Sequence, residues 1–151
     1  MANELLVFLT AMAPVAELRG AIPLGFLAGL SPIKVFLLSF IGNIIPVPFL
    51  ILFSRPVIRY LKRIKPLEKV LTFFENRATK KANKIKGYVA LGLFLFVAVP
   101  LPGTGAWTGS LIAAVLNMRL KYAIPIITVG VLVAGVIIMA LSLGTVHFIG
   151  I

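Results

Sequence analysis

The chain of 151 residues contains no cysteine, a single histidine and only four acidic residues. Without cysteine there is no disulfide, no zinc-thiolate centre and no thiol nucleophile. The one histidine, His147, lies near the end of the last apolar block, where an interfacial place is expected rather than a metal site. No phosphate-binding loop, metal cluster or nucleophile triad occurs, so ATP-driven and hydrolytic mechanisms have nothing to stand on. The expectation is a protein that is not an enzyme and uses no cofactor. A secretory leader is not expected either, because Met1 to Glu4 carries no Lys or Arg and the first basic residue is Arg19.

What the chain has in excess is apolar surface. It is 60% apolar and 13% charged, with a mean hydropathy of +1.10, against roughly half apolar and a quarter charged in soluble domains. A soluble core cannot hide that much, so an integral membrane protein is expected. The net charge of +11 does not point to nucleic acid, because the basic residues are concentrated in one place. Eleven of the fifteen fall between Arg55 and Lys86, opposed only by Glu68 and Glu75. A basic stretch between apolar blocks marks the cytoplasmic side. Arg59, Lys62, Arg63, Lys80, Lys81 and Lys84 are its expected membrane-surface residues. On either side of Pro66, Val57, Ile58, Leu61 and Ile64, then Leu67, Val70, Leu71 and Phe74, recur at helical spacing. Short basic amphipathic helices on an anionic leaflet fit that pattern; a solvated linker is the competing reading.

Four apolar blocks remain, and they differ in kind. Residues 33–53 and 122–148 are long enough at about 1.5 Å per residue to cross a hydrocarbon core of roughly 30 Å. Their prolines, Pro46, Pro48 and Pro125, are tolerable where neighbours satisfy the freed carbonyls. Residues 5–30 and 88–117 are broken in the middle, the first by Pro14, Gly20, Pro23, Gly25 and Gly29, the second by Pro100 to Gly109. Each is expected to be a re-entrant hairpin of two half-helices, the second limbs starting near Gly20 and around Thr104 to Thr108. The alternative is a kinked full span. Hairpins place thirteen of the fifteen basic residues on one side, with residues 54–87 as a cytoplasmic linker and both termini outside.

Shifting the chain by 85 positions lays Gly20-Ala21 over Gly105-Ala106 and Lys34 over Arg119. The fold class expected is therefore an all-α membrane protein of two inverted repeats, each a re-entrant hairpin plus one transmembrane helix. Inverted repeats with discontinuous helices meeting near mid-membrane are the physics of secondary transporters.

Glu17 and Arg19 are the ionisable residues within the broken blocks, and a charge at that depth is costly unless it is paired or functional. On a continuous helix, positions i and i+2 face apart, so a broken backbone is needed to bring them to one cavity. The competing reading is a salt bridge pinning one hairpin to the other half. Gly20 and Pro23 complete the first motif. In the second, Pro102, Gly103, Thr104, Gly105, Trp107 and Thr108 offer hydroxyls, an indole and glycines that permit close approach. Helix N-termini attract anions, so a substrate and proton site is expected here. Trp107 reads equally well as a packing aromatic. Ser39 and Asn43 are weaker candidates, for hydrogen bonds between helices.

Through Glu17-Leu18-Arg19-Gly20-Ala21-Ile22-Pro23 and Pro100-Leu101-Pro102-Gly103-Thr104-Gly105-Ala106-Trp107-Thr108-Gly109 the chain resembles the small multidrug export proteins and, more widely, the DedA-like membrane proteins. The resemblance covers essentially the whole length. It implies paired re-entrant hairpins and movement of polyprenyl-phosphate or phospholipid, with proton coupling. This chain departs from the larger relatives in lacking an acidic residue and an arginine in its second hairpin. The leading expectation is a secondary transporter or lipid translocase. The alternatives are an exporter of cationic amphiphiles and a non-transporting scaffold that recruits a partner through its basic loop. Membrane lipids, an anionic or amphipathic small substrate and a second copy of the chain in a homodimer are the expected partners.

Overall fold

A computed structural model describes residues 1–61, 63, 68–70, 72, 73, 76 and 82–149, with 82–86 and 146–149 described by backbone alone. The described residues are helical and contain no strand. Lys62, Lys80 and Lys81 lie outside them, as do Ile64, Pro66, Leu67, Leu71 and Phe74, so the basic amphipathic stretch is not described as a whole.

The first broken block folds as α1 (Ala2–Met12) and α2 (Glu17–Leu27), which pack on each other. At about 1.5 Å per residue neither exceeds roughly 17 Å. The break falls at Ala13 to Ala16 because Ala13 precedes Pro14 and is held extended, at φ −71 and ψ 140. This corrects the expected start near Gly20, since both Gly20 and Pro23 lie inside α2. Gly29, at φ 73, ends α2, and the Leu30 amide returns 3.1 Å to the Gly25 carbonyl. That is a Schellman cap.

Pro32 then opens α3 (Pro32–Ile44), and after Ile45 the chain re-enters helix as α4 (Pro46–Leu61). Pro46 and Pro48 have no amide proton for the carbonyls a turn behind, which explains the interruption. Together α3 and α4 cover 30 residues, running past Phe53 and carrying Arg55 and Arg59 on helix. Alongside them α1 runs parallel to α3. The Lys34 ammonium lies 3.0 Å from the Glu4 carboxylate, and that hydrogen bond holds the carboxyl below the ordinary glutamate range.

The second half comprises α5 (Ala82–Ala98), α6 (Ala106–Val115) and α7 (Leu120–Ile149). Asn117 takes φ 53 and the Met118 amide returns 2.9 Å to the Ala113 carbonyl, the same cap that ends α2. The caps pair Gly29 with Asn117, three positions beyond the register suggested by Gly20 and Gly105.

The core runs between the halves, with Ile22, Val35, Val47, Ile51, Val97, Ile127 and Val131 buried. Outside it, Leu5, Leu9, Phe49, Phe53, Leu95 and Leu141 stand exposed. So much apolar perimeter is foreign to a water-soluble monomer and ordinary in lipid.

Candidate functional site

The two broken segments meet through three residues of the first and four of the second. Glu17 opens α2 in a left-handed conformation, φ 47, and is 4% exposed. Its carboxylate leaves its own helix and accepts hydrogen bonds from the backbone amides of Trp107, at 3.0 Å, and Ala106, at 3.3 Å. These are first-turn amides of α6, which have no intrahelical acceptor. Gly105, the residue at the N-cap of α6, has no side chain to offer them, so Glu17 caps α6 from across the molecule. The positive end of the helix dipole and two charge-assisted hydrogen bonds stabilise the buried charge.

Gly105 permits this approach twice over. Its φ is 128, a region that residues with a Cβ avoid, and a Cβ built there would lie 2.0 Å from Glu17 Oε2.

Arg19 serves the loop before α6. One guanidinium nitrogen donates to the Leu101 carbonyl and another to Thr104 Oγ1 at 2.6 Å. The Thr104 hydroxyl faces the Val99 and Leu101 carbonyls, both at 2.8 Å, and accepts from the Leu101 amide at 3.2 Å. A single guanidinium thus holds a loop that is otherwise closed by a threonine. The Trp107 indole donates across the gap to the Met12 carbonyl, 3.1 Å away, one of the free carbonyls at the end of α1.

The structure brings together the two segments that the sequence reading singled out, through contacts other than those expected. Glu17 and Arg19 do not pair with each other among the described residues; each holds a different part of the second half. The salt bridge between halves is replaced by hydrogen bonds to backbone and hydroxyl. Pro23, Pro102 and Gly103 are exposed, Gly20 packs against Ala16, and Thr108 is half-buried in the first turn of α6. Of the surface basic residues, Arg59 and Arg63 are exposed, while the side chain of Lys84 is outside the description.

Several participants were missed. Arg55, assigned to the cytoplasmic stretch, donates to the Met118 carbonyl at the far end of α6. Met12 contributes only a carbonyl, which leaves no mark in a sequence. Ser39 and Asn43 are fully buried, yet among the described residues Ser39 Oγ and both amide atoms of Asn43 have no hydrogen-bond partner, and the interhelical bonds expected of them are absent there. An apolar cleft of about 520 Å³ runs between α4 and α6, lined by Pro46, Phe49, Phe53, Ile58 and Leu111 and reaching Trp107.

Helical throughout the described residues, with two apolar helices of membrane length among them and an apolar perimeter, the chain is a membrane protein. Residues 17–137 match the family described as "putative small multi-drug export protein", and the chain belongs to that family. No curated protein and no solved structure matches it.

Proposed function

We propose that the chain is a secondary transporter of amphiphiles with an anionic head, and that Glu17 competes with that head for the N-terminus of α6. The carrying observation is the Glu17 carboxylate on the Ala106 and Trp107 amides. A carboxylate resting there marks a place suited to a phosphate or carboxylate group. When Glu17 takes up a proton from water it loses its charge and most of its attraction to the helix end. The two amides, with Arg19 beside them, can then receive the substrate anion. Loss of the proton returns Glu17 and expels the anion, which couples the two movements.

The reading includes re-entrant hairpins arranged as an inverted repeat, supported by the matched caps at Gly29 and Asn117 and by positive φ at both Glu17 and Gly105, which open α2 and α6. It also includes both termini outside, a plasma-membrane location and transport rather than catalysis. A homodimer belongs to it, since two membrane-length helices enclose little of a pathway. A relation to the DedA-like proteins is part of the same reading, with a lipid phosphate as substrate.

Transport by proteoliposomes tests the reading. Glu17→Gln should abolish the pH dependence; wild-type rate and pH profile in that variant would overturn it. A second reading, export of cationic amphiphiles bound at Glu17, is favoured by the apolar cleft that reaches Trp107. Arg19→Ala separates the two, because anion transport should collapse and cation export should survive.

A further inference from the structure

Asn43 presents both halves of a primary amide to the interior, and neither half is satisfied among the described residues. It is 0% exposed, so bulk water does not reach it. Burying an unpaired amide is costly, so another state of the molecule that supplied a partner would be stabilised by it.

Helix register brings a candidate to the same level. Gly25 of α2 packs so closely on α3 that a Cβ there would stand 2.6 Å from Val35 Cγ2. The two helices run antiparallel, so about two turns back along α2 and two turns on along α3 lead to Glu17 and Asn43. A second register agrees. Along the parallel pair α1 and α3, Lys34 meets Glu4 and a Cβ on Gly42 would touch the Phe8 carbonyl and Ala11. Asn43 is therefore level with Met12, whose carbonyl receives the Trp107 indole beside Glu17. One turn away, Ser39 is level with Ala21.

The chemistry selects the protonation state. An amide sets an acceptor and a donor side by side. Its full complement is a protonated carboxyl, which donates O–H to Oδ1 and accepts from Nδ2. An ionised carboxylate only accepts, and it would leave Oδ1 unpaired against negative charge.

We infer that Asn43 is the station to which Glu17 moves when it is protonated and leaves α6. This rests on the reading of Glu17 as the proton-exchanging group. The proton comes from water at the site and is held between Glu17 and Asn43 Oδ1. The Ala106 and Trp107 amides are vacated in the same step. Both positions of the carboxyl are then satisfied, one charged at a helix end and one neutral at an amide.

Among the described residues, few other charges bear on the exchange. On α2 the neighbour is Arg19, engaged with Leu101 and Thr104. Glu4 and Lys34 lie at the opposite ends of α1 and α3, and α6 carries no charged residue. Arg55 of α4 is at Met118. Lys84 and Lys86 lie in the early turns of α5, away from the loop that follows it, and α7 has no titratable residue between Tyr122 and His147.

Infrared difference spectroscopy on the full chain in liposomes, titrated with acid, tests this directly. Glu17→Gln identifies the carboxylic C=O band. In Asn43→Leu that band should move to the higher frequency of an unbonded acid, and its midpoint should fall by about one pH unit, tenfold more acid. Ser39→Ala should leave both unchanged. Should Asn43→Leu not fold, labelling asparagine side chains with a heavy nitrogen isotope in the wild-type chain should shift a band that Glu17→Gln erases; absence of such a band overturns the inference. So does an unchanged band and midpoint in folded Asn43→Leu. If Glu17→Gln still abolishes pH-dependent transport in that case, the transport reading stands and the Asn43 station alone falls.

Discussion

The Glu17 carboxylate approaches Gly105 so closely that a single methyl group on that glycine would overlap it, at 2.0 Å from Oε2. The capping of α6 by a residue nearly ninety positions earlier therefore depends on a hydrogen atom standing where every other residue has carbon. Gly105→Ala must either push Glu17 off the Ala106 and Trp107 amides or displace the start of α6, and its φ of 128 adds backbone strain. A loss of about 2 kcal/mol or more is expected, read as a lowered thermal midpoint in lipid or detergent. Gly103→Ala is the comparison. It shares positive φ, at 81, but has open space around it, so it should cost about 1 kcal/mol.

Trp107 has two separable roles, a backbone amide on Glu17 and an indole on Met12. Trp107→Phe keeps the amide and an aromatic ring but removes the N–H together with the five-membered half of the indole. At least about 1 kcal/mol of stability should be lost, the net value of one hydrogen bond together with the packing of the missing half-ring, while the pH dependence of transport is retained. A shift of that pH profile in Trp107→Phe would mean that the indole, and not the backbone, sets the charge on Glu17.

The end of α6 offers a prediction of opposite sign. Asn117 sits at φ 53 in the position that Gly29 fills at the end of α2. Asn117→Gly relieves the cost of a left-handed side chain and should be neutral or stabilising by up to about 1 kcal/mol. Asn117→Val places a β-branched residue there and should destabilise by about 1–2 kcal/mol. Thermal unfolding of the two variants side by side checks both directions.

These contacts show what could be foreseen. The apolar blocks announced helices because hydropathy is a property of composition, and Pro14 and Pro100 to Gly105 announced breaks because proline and glycine act locally. Glu17 and Arg19 announced themselves by their cost in an apolar setting. Their partners did not, because a backbone amide or the Met12 carbonyl is the same at every position of a chain. Gly20 attracted attention as a glycine and proved to be helix interior; Ala13, which truly ends α1, is marked only by the proline after it. Arg55 was hidden among the basic residues that follow it. The match of Gly20 with Gly105 gave one spacing between the halves, whereas the two helix caps at Gly29 and Asn117, a conformation that glycine and asparagine share, stand three positions further apart.

Arg19 and Thr104 supply the last and most decisive test, because the same contact has a structural and a functional reading. Thr104 closes the loop before α6 by itself, through the Val99 and Leu101 carbonyls, and Arg19 adds a hydrogen bond to its oxygen and another to Leu101. Arg19→Ala should therefore cost stability, and Thr104→Val should cost stability too, since each removes bonds to groups in the loop. In the double variant the two losses should fall short of their sum by about 1–2 kcal/mol, the coupling of a charge-assisted pair. Additive losses would mean that the two side chains hold the loop independently. Transport then divides the roles. If Arg19 only holds the loop, Arg19→Ala and Thr104→Val lower transport in proportion to stability. If Arg19 also receives the substrate anion, Thr104→Val keeps most of the activity while Arg19→Ala loses nearly all of it, and Arg19→Lys, which keeps the charge but not the fork, falls between them.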